Sequence, residues 1–286
     1  MFLKERSHQS GKHGDARFTF DLAHIAWQRG SESEIALLLT LTGYIYCLPP
    51  RTCHQFADKY VQKALDQRRR QIAGAGSVEL KHATLLDELM TETEDPLELR
   101  CQLLHLLLAG QDTTASLLSS AFFVLSKRPD VWEKIQECKY LSFVLKEAVL
   151  RLYPVIVTNS RMANNDTYLP VGGGEDGLSK VFIPKGQVVA YHYHVMHRRK
   201  DIFGDDADDF KPERWLNARP RWGYLPFGGG ARVCIGQQLA LTEVSYTVFR
   251  FAQKFREIQS LDENEWRENI SITSTAENVK VRMVPA

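Results

Sequence analysis

The stretch "PFGGGARVCIG", Pro226 to Gly236, places three consecutive glycines, an arginine and a cysteine directly ahead of a run with helical patterning. Gly228, Gly229, Gly230 and Gly236 permit positive φ and let backbone approach a flat or bulky partner closely. Amide N–H groups at the positive end of a helix stabilise a thiolate at Cys234, and Arg232 adds a cation two residues away. These surroundings suit a working thiolate, as redox thiol or metal ligand, better than an inert buried cysteine.

The rest of the chain bounds what that thiolate serves. With 286 residues it can bury a sizeable core, and 44% hydrophobic with 25% charged residues is the composition of a soluble globular protein. A net charge of +1 argues against a nucleic-acid partner, which needs a concentrated basic excess. The five cysteines are scattered, with no CxxC pair, so a zinc ribbon and a disulfide framework are both disfavoured and a reducing, intracellular setting fits. The N-terminus lacks a signal-peptide core. The longest apolar run, Ile35 to Leu48, has fourteen residues, against the roughly 20 that a transmembrane anchor needs; a buried or interfacial helix is expected there.

Apolar residues at Phe56, Tyr60, Val61, Ala64 and Leu65 have helical spacing, and the basic knot Arg68-Arg69-Arg70 suits the negative end of that helix. "AGAGS", 73–77, reads as a connector. Pro96, preceded by the acidic run 92–95, opens a helix of roughly 30 residues, about 45 Å long, that Pro129 stops. Its middle is apolar all round, so burial on every side is expected. A second helix follows Pro129, a third covers about Tyr140 to Leu152, short strands with Gly-rich turns fill 155–193, and a last helix runs from about Gln237 to Lys254. The polar coil 201–221 is long for a structureless loop, which marks it for function.

Two further constellations carry chemistry. "AGQDTT", Ala109 to Thr114, sets acid and alcohol side by side in the apolar helix, and Gly110 lets the helix open locally. Asp112 and Thr113 form a proton-delivery pair, or the Thr113 hydroxyl simply bonds back to a carbonyl one turn earlier. In "KEAVLRLYP", Glu147 and Arg151 stand at i, i+4 on one helix face, close enough to pair. The histidines offer less. His192 and His194 alternate with His197 near them, and Cys101 and His105 are one helical turn apart, but no third zinc ligand has suitable spacing.

The pattern Phe227-x-x-Gly230-x-Arg232-x-Cys234-x-Gly236 resembles, without a gap, the heme-thiolate signature of the cytochrome P450 family. The resemblance implies a mainly α fold with a small β-sheet region, the C-terminal heme-binding part of the cytochrome P450 fold. In that family the cysteine is the axial ligand of the iron of heme b, so it implies that role for Cys234. Arg232 is implied to pair with a heme propionate, Arg161 with the other, and Phe227 to shield the sulfur, with Gly228 and Gly236 in the cradle. "AGQDTT" is similar to the family's central helix over the heme: Asp112 and Thr113 would relay protons to oxygen, and Ala109 and Gly110 would line the oxygen pocket. Val155 and Val157 would face substrate. Glu147, Arg151 and Arg214 of "PERW" would form a buried ion network. The family spaces the first two at i, i+3; the extra residue, at about 100° each, shifts their register.

The likeness is strongest over 103–254 and closest in flavour to fungal microsomal members that hydroxylate alkanes and fatty acids. It implies a monooxygenase using O2, an apolar small-molecule substrate, and electrons from NADPH through a separate reductase, since no nucleotide fingerprint follows a strand here. Family members are bound to the endoplasmic reticulum membrane; no anchor is found in this sequence. Residues 1–286 are expected to be a single partial domain, lacking the family's N-terminal part and with a shortened connection after Glu137. Two alternatives follow: an inactive truncated or mis-spliced fragment with weak or no heme binding, and an interaction module docking through exposed apolar faces.

Overall fold

The structure, a computed structural model, describes residues 16–19, 50–73, 84–135, 138–261, 265–270, 273–277 and 279–286. The apolar run 35–48, most of the 73–77 connector and residues 136–137 lie outside the described residues. The chain divides into two compact units, 1–115 and 116–286.

The first unit contains a short strand, β1 (Ala16–Thr19), and helices α1 (Pro50–Ile72) and α2 (Leu85–Glu92), together with the start of α3 (Pro96–Ser126). Pro50 opens α1 where a missing N–H costs nothing. Val61 and Leu65, one turn apart, pack with Met90 of α2 and Leu99 of α3, and burying each side chain contributes about 1.5–3 kcal/mol. A capping box fixes the start of α2: Asp87 N donates to Thr84 Oγ1 at 3.2 Å and Thr84 N donates to Asp87 Oδ2 at 2.7 Å. Arg100 of α3 reaches Asp58 of α1 at 3.0 Å.

In the second unit α3 continues from Ser116 to Ser126 with every residue buried, and Phe122 meets Phe251 edge-on at 5.4 Å. The Leu103–Leu108 part is only half-buried, apart from the exposed His105. The expected burial on every side therefore holds for the last three turns of α3 and fails for its middle. The helix also runs unbroken through Gly110, so no local opening forms there. After α3, α4 (Pro129–Lys134) buries Val131 and Trp132, whose Nε1 donates to the Phe255 carbonyl at 3.2 Å.

Helix α5 (Cys138–Val144) then passes into a π-helical segment, Leu145–Leu152. Its wide turn shows in the bond from Tyr153 N to the Ala148 carbonyl, five residues back, at 3.1 Å. Two antiparallel pairs follow: β2 (Thr158–Met162) with β5 (Val188–His192), in register Thr158 to His192, and the hairpin β3 (Thr167–Gly173) with β4 (Ser179–Ile183). Short helices α6 (Tyr193–Met196) and α7 (Lys200–Phe203) lead into the coil, which is ordered by 3-10 turns at Pro212–Leu216, Arg221–Gly223 and Gly230–Arg232. Helix α8 (Gln237–Lys254) buries Val244, Val248 and Ala252 at four-residue spacing. The tail pairs β6 (Phe255–Ser260) with β9 (Lys280–Pro285), and β7 (Glu268–Ile270) with β8 (Ser274–Ala276). The architecture is mainly α with small antiparallel sheets, as the sequence implied.

Candidate active site

The loop around Cys234 is built by its glycines. Gly228 and Gly230 take φ of 75° and 71°, left-handed values that side chains disfavour. A Cβ on Gly229 would stand 2.8 Å from Cζ3 of Trp222, so only glycine lets the indole close over the loop. Cys234 N donates to the Phe227 carbonyl at 2.9 Å and Gly228 N to the Leu225 carbonyl at 3.0 Å, which locks the loop into a tight turn. Gly236 caps α8, so Cys234 stands two residues ahead of the helix.

The loop presents its thiol outward. Cys234 is exposed, and so are its apolar neighbours Val233, Ile235 (83% exposed) and Leu239. Arg232 is exposed and has no carboxylate partner among the described residues. Arg161, on β2, bonds to Asn159 Oδ1 and to the Ser160 carbonyl and stacks over Tyr191, again with no carboxylate. A soft sulfur donor in an apolar rim, with two arginines carrying no acidic partner, fits an apolar, iron-containing dianion such as heme. Phe227, in the same loop, is half-buried.

Glu147, Arg151 and Arg214 come together. The Glu147 carboxylate accepts from Arg151 Nη2 at 2.7 Å and Nε at 2.9 Å, and from Arg214 Nε at 3.1 Å. It also accepts from Trp215 Nε1 at 2.9 Å and from Lys211 N at 3.0 Å. Glu147 and Arg151 are fully buried. The π-segment explains why the extra residue does no harm. Winding more slowly per residue, it gives an i, i+4 pair nearly the angular place of an i, i+3 pair in an α-helix. The expected shift of register is thus absorbed within the turn that holds both residues.

Arg151 organises the coil beyond. Its Nη1 donates to the His197 carbonyl at 3.1 Å and to the Ala207 carbonyl, and Nη2 donates to the Asp209 carbonyl at 3.0 Å. Arg214 adds Asp206 Oδ1 and the Phe203 carbonyl, each at 2.7 Å. Trp215 and the Lys211 amide are network members that sequence spacing missed, although "PERW" marked their place. A cleft of about 520 Å³ opens beside them, lined by Asp206, Lys211, Glu213 and Arg214. Lys211 and Arg214 are already paired to Asp206, and Cys234 does not line it.

Sequence reading weighed His197 only as a neighbour of a possible zinc site; the structure buries it fully. Its Nε2 accepts from Leu225 N at 2.9 Å, so the proton sits on Nδ1, which has no hydrogen-bond partner of good geometry. Burial drives the imidazole down from 6.5 to about 4; the Leu150 carbonyl opposes this, and Arg151, Arg198 and His194 add to it. The native ring is therefore neutral where an unfolded chain would take up a proton. Stability is full above 6.5 and declines as pH falls toward about 4, by about 3 kcal/mol from this group. Urea melts across that window should show the slope, and His197→Gln should flatten it.

Ala109, Gly110, Asp112 and Thr113 lie in the first unit, and Cys234 in the second. Thr113 Oγ1 donates to the Ala109 carbonyl at 2.6 Å, the back-bond of an ordinary helical threonine. Desolvation raises the Asp112 carboxyl above its usual range. Val155 and Val157 are half-buried ahead of β2; the Val157 carbonyl accepts from Tyr193 N at 2.8 Å. His192 Nδ1 lies 2.6 Å from Thr158 Oγ1, and His194 Nδ1 3.1 Å from Arg198. Among the described residues no His, Cys, Asp and Glu cluster could hold a metal ion, and no helix is long and apolar enough to cross a membrane.

This fold matches the crystal structure of a cytochrome P450, CYP102L1, with a TM-score of 0.69 and 24% identity, covering 91% of this chain and 62% of that one. The cytochrome P450 family model matches residues 50–283. The chain belongs to the cytochrome P450 family. It is 44% identical over 261 residues to cytochrome P450 monooxygenase fsdH of Fusarium heterosporum, covering 82% of this chain and 46% of the relative. It is 41% identical over 237 residues to cytochrome P450 52A3-B of Candida maltosa, covering 73% and 45%. The chain spans about half the length of the curated relatives it matches.

Proposed function

We propose that the chain is the heme-binding part of a monooxygenase, with Cys234 as axial ligand of heme b. The observation that carries this reading is the exposed Cys234 thiol in its glycine-built loop, rimmed by Val233, Ile235 and Leu239. When bound, the heme supplies oxygen activation, by which one atom of O2 enters a C–H bond of an apolar substrate. The substrate class is an alkane or fatty acid, and electrons come from NADPH through a separate reductase. Arg232 and Arg161 hold the propionates, and Phe227 keeps water from the sulfur. Gly228 and Gly236 leave room for the macrocycle, and Ala109 and Gly110 for O2. Val155 and Val157 contact the substrate. Desolvation raises the Asp112 carboxyl, which favours it as proton donor, with the Thr113 hydroxyl as its relay. Residues 1–286 then act as one partial domain of an intracellular enzyme.

A second reading is an inactive fragment that carries the motifs with weak or no heme binding, and the exposure of Ala109, Gly110 and Asp112 favours it. The reduced, carbon-monoxide-bound difference spectrum separates the two. A thiolate-heme band supports the first reading, and its absence from the wild-type chain sinks it. Given that band, Asp112→Asn should cut hydroxylated product by about 10²-fold, the scale of general-acid catalysis, while leaving the band in place.

A further inference from the structure

We propose that His197 is a positioning residue that ties the Cys234 loop to the buried Glu147–Arg151 network; this rests on the heme-thiolate reading of that loop. Two bonds meet at this one residue. On its main-chain side, the His197 carbonyl accepts from Arg151 Nη1 at 3.1 Å, and Arg151 is held by Glu147. On its side-chain side, Nε2 accepts from Leu225 N at 2.9 Å. Leu225 is the first residue of the loop's own ladder: its carbonyl accepts from Gly228 N at 3.0 Å, and Phe227 then holds Cys234 N at 2.9 Å. A continuous set of bonds thus runs from the π-segment to the ligand backbone. The ring has little freedom to leave, because it is fully buried between Tyr193 and Tyr224, with centroids 6.0 and 5.2 Å away. Only the neutral ring with its proton on Nδ1 can make the Leu225 bond, since a proton on Nε2 would face the Leu225 N–H. His197 touches no reacting atom; it acts by fixing where the loop begins.

The test uses two variants of the full chain. His197→Phe keeps a ring and removes the acceptor, whereas His197→Gln can present Oε1 where Nε2 stood. Amide hydrogen exchange read on segment 224–235 should speed up by about tenfold in His197→Phe, the effect of losing one hydrogen bond. It should stay within about twofold of wild type in His197→Gln, and segment 244–254 of α8 should be unchanged in both. In the heme-loaded chain, His197→Phe should move part of the carbon-monoxide complex from the thiolate band to the neutral-thiol band, and His197→Gln should not. Unchanged exchange in His197→Phe, equal acceleration in His197→Gln, or acceleration that includes segment 244–254 would overturn the role. If the wild-type chain takes up no heme, the proposed function falls, while the exchange comparison still decides the role of His197.

Discussion

Cys234→Ala abolishes the thiolate-heme band of the reduced, carbon-monoxide-bound chain outright, while Cys53→Ala and Cys101→Ala leave it intact. This is the largest effect expected. The three cysteines differ in the backbone that carries them. Cys53 and Cys101 sit within helices α1 and α3, with no glycine-built turn around them. Cys234 sits on a glycine loop two residues ahead of a helix, exposed and rimmed by apolar side chains. Removing its sulfur deletes the soft donor and leaves the loop standing, because the bond that holds it, Cys234 N to the Phe227 carbonyl, is main-chain. Cys234→Ala should therefore melt like wild type without ligand, and a melting curve alongside the spectrum checks this. A Cys234→Ala chain that retained the band would place the ligand elsewhere and end the proposed function.

Glu147→Gln destabilises the chain by about 3–5 kcal/mol, the scale of breaking a buried ion network, and lowers Tm by about 10 °C. The substitution is nearly isosteric, so volume is not the cause. The Glu147 carboxylate accepts five hydrogen bonds, three of them from guanidinium groups. An amide turns one of its two oxygens into a donor that faces other donors, and leaves Arg151 with a charge buried beyond the reach of water. Asp201→Asn is the control: its partner Arg199 is on the surface, and that exposed pair should be silent in the same melt. Thermal unfolding by circular dichroism distinguishes the two, and a Glu147→Gln chain as stable as wild type would show that the network contributes nothing to the fold.

Much of this was legible in the residues. The Cys234 loop and the ends of α3 and α8 followed from glycine, proline and apolar spacing, because caps and turns are set by near neighbours. Burial along α3 was not legible: "LLHLLLAG" is apolar all round, yet 103–108 is half-buried apart from the exposed His105, because burial depends on what packs beside a helix. The bonds of Trp215 and His197 escaped for a related reason. Each residue bonds to a group far along the chain, Trp215 to Glu147 and His197 to Leu225, and no local pattern announces such a partner. The Thr113 hydroxyl had two readings in sequence, and the structure shows the helical back-bond.

The π-segment of Leu145–Leu152 carries one more consequence. Motifs are written as counts of residues, but a side chain answers to an angle and a height. Here one surplus residue is taken up as slack in a single wide turn, and the partners on both sides keep their places. An essential pair can therefore survive an insertion between its own members, provided the backbone can uncoil locally. A search that insists on a fixed interval between glutamate and arginine would discard this chain, although the contact that interval stands for is fully made.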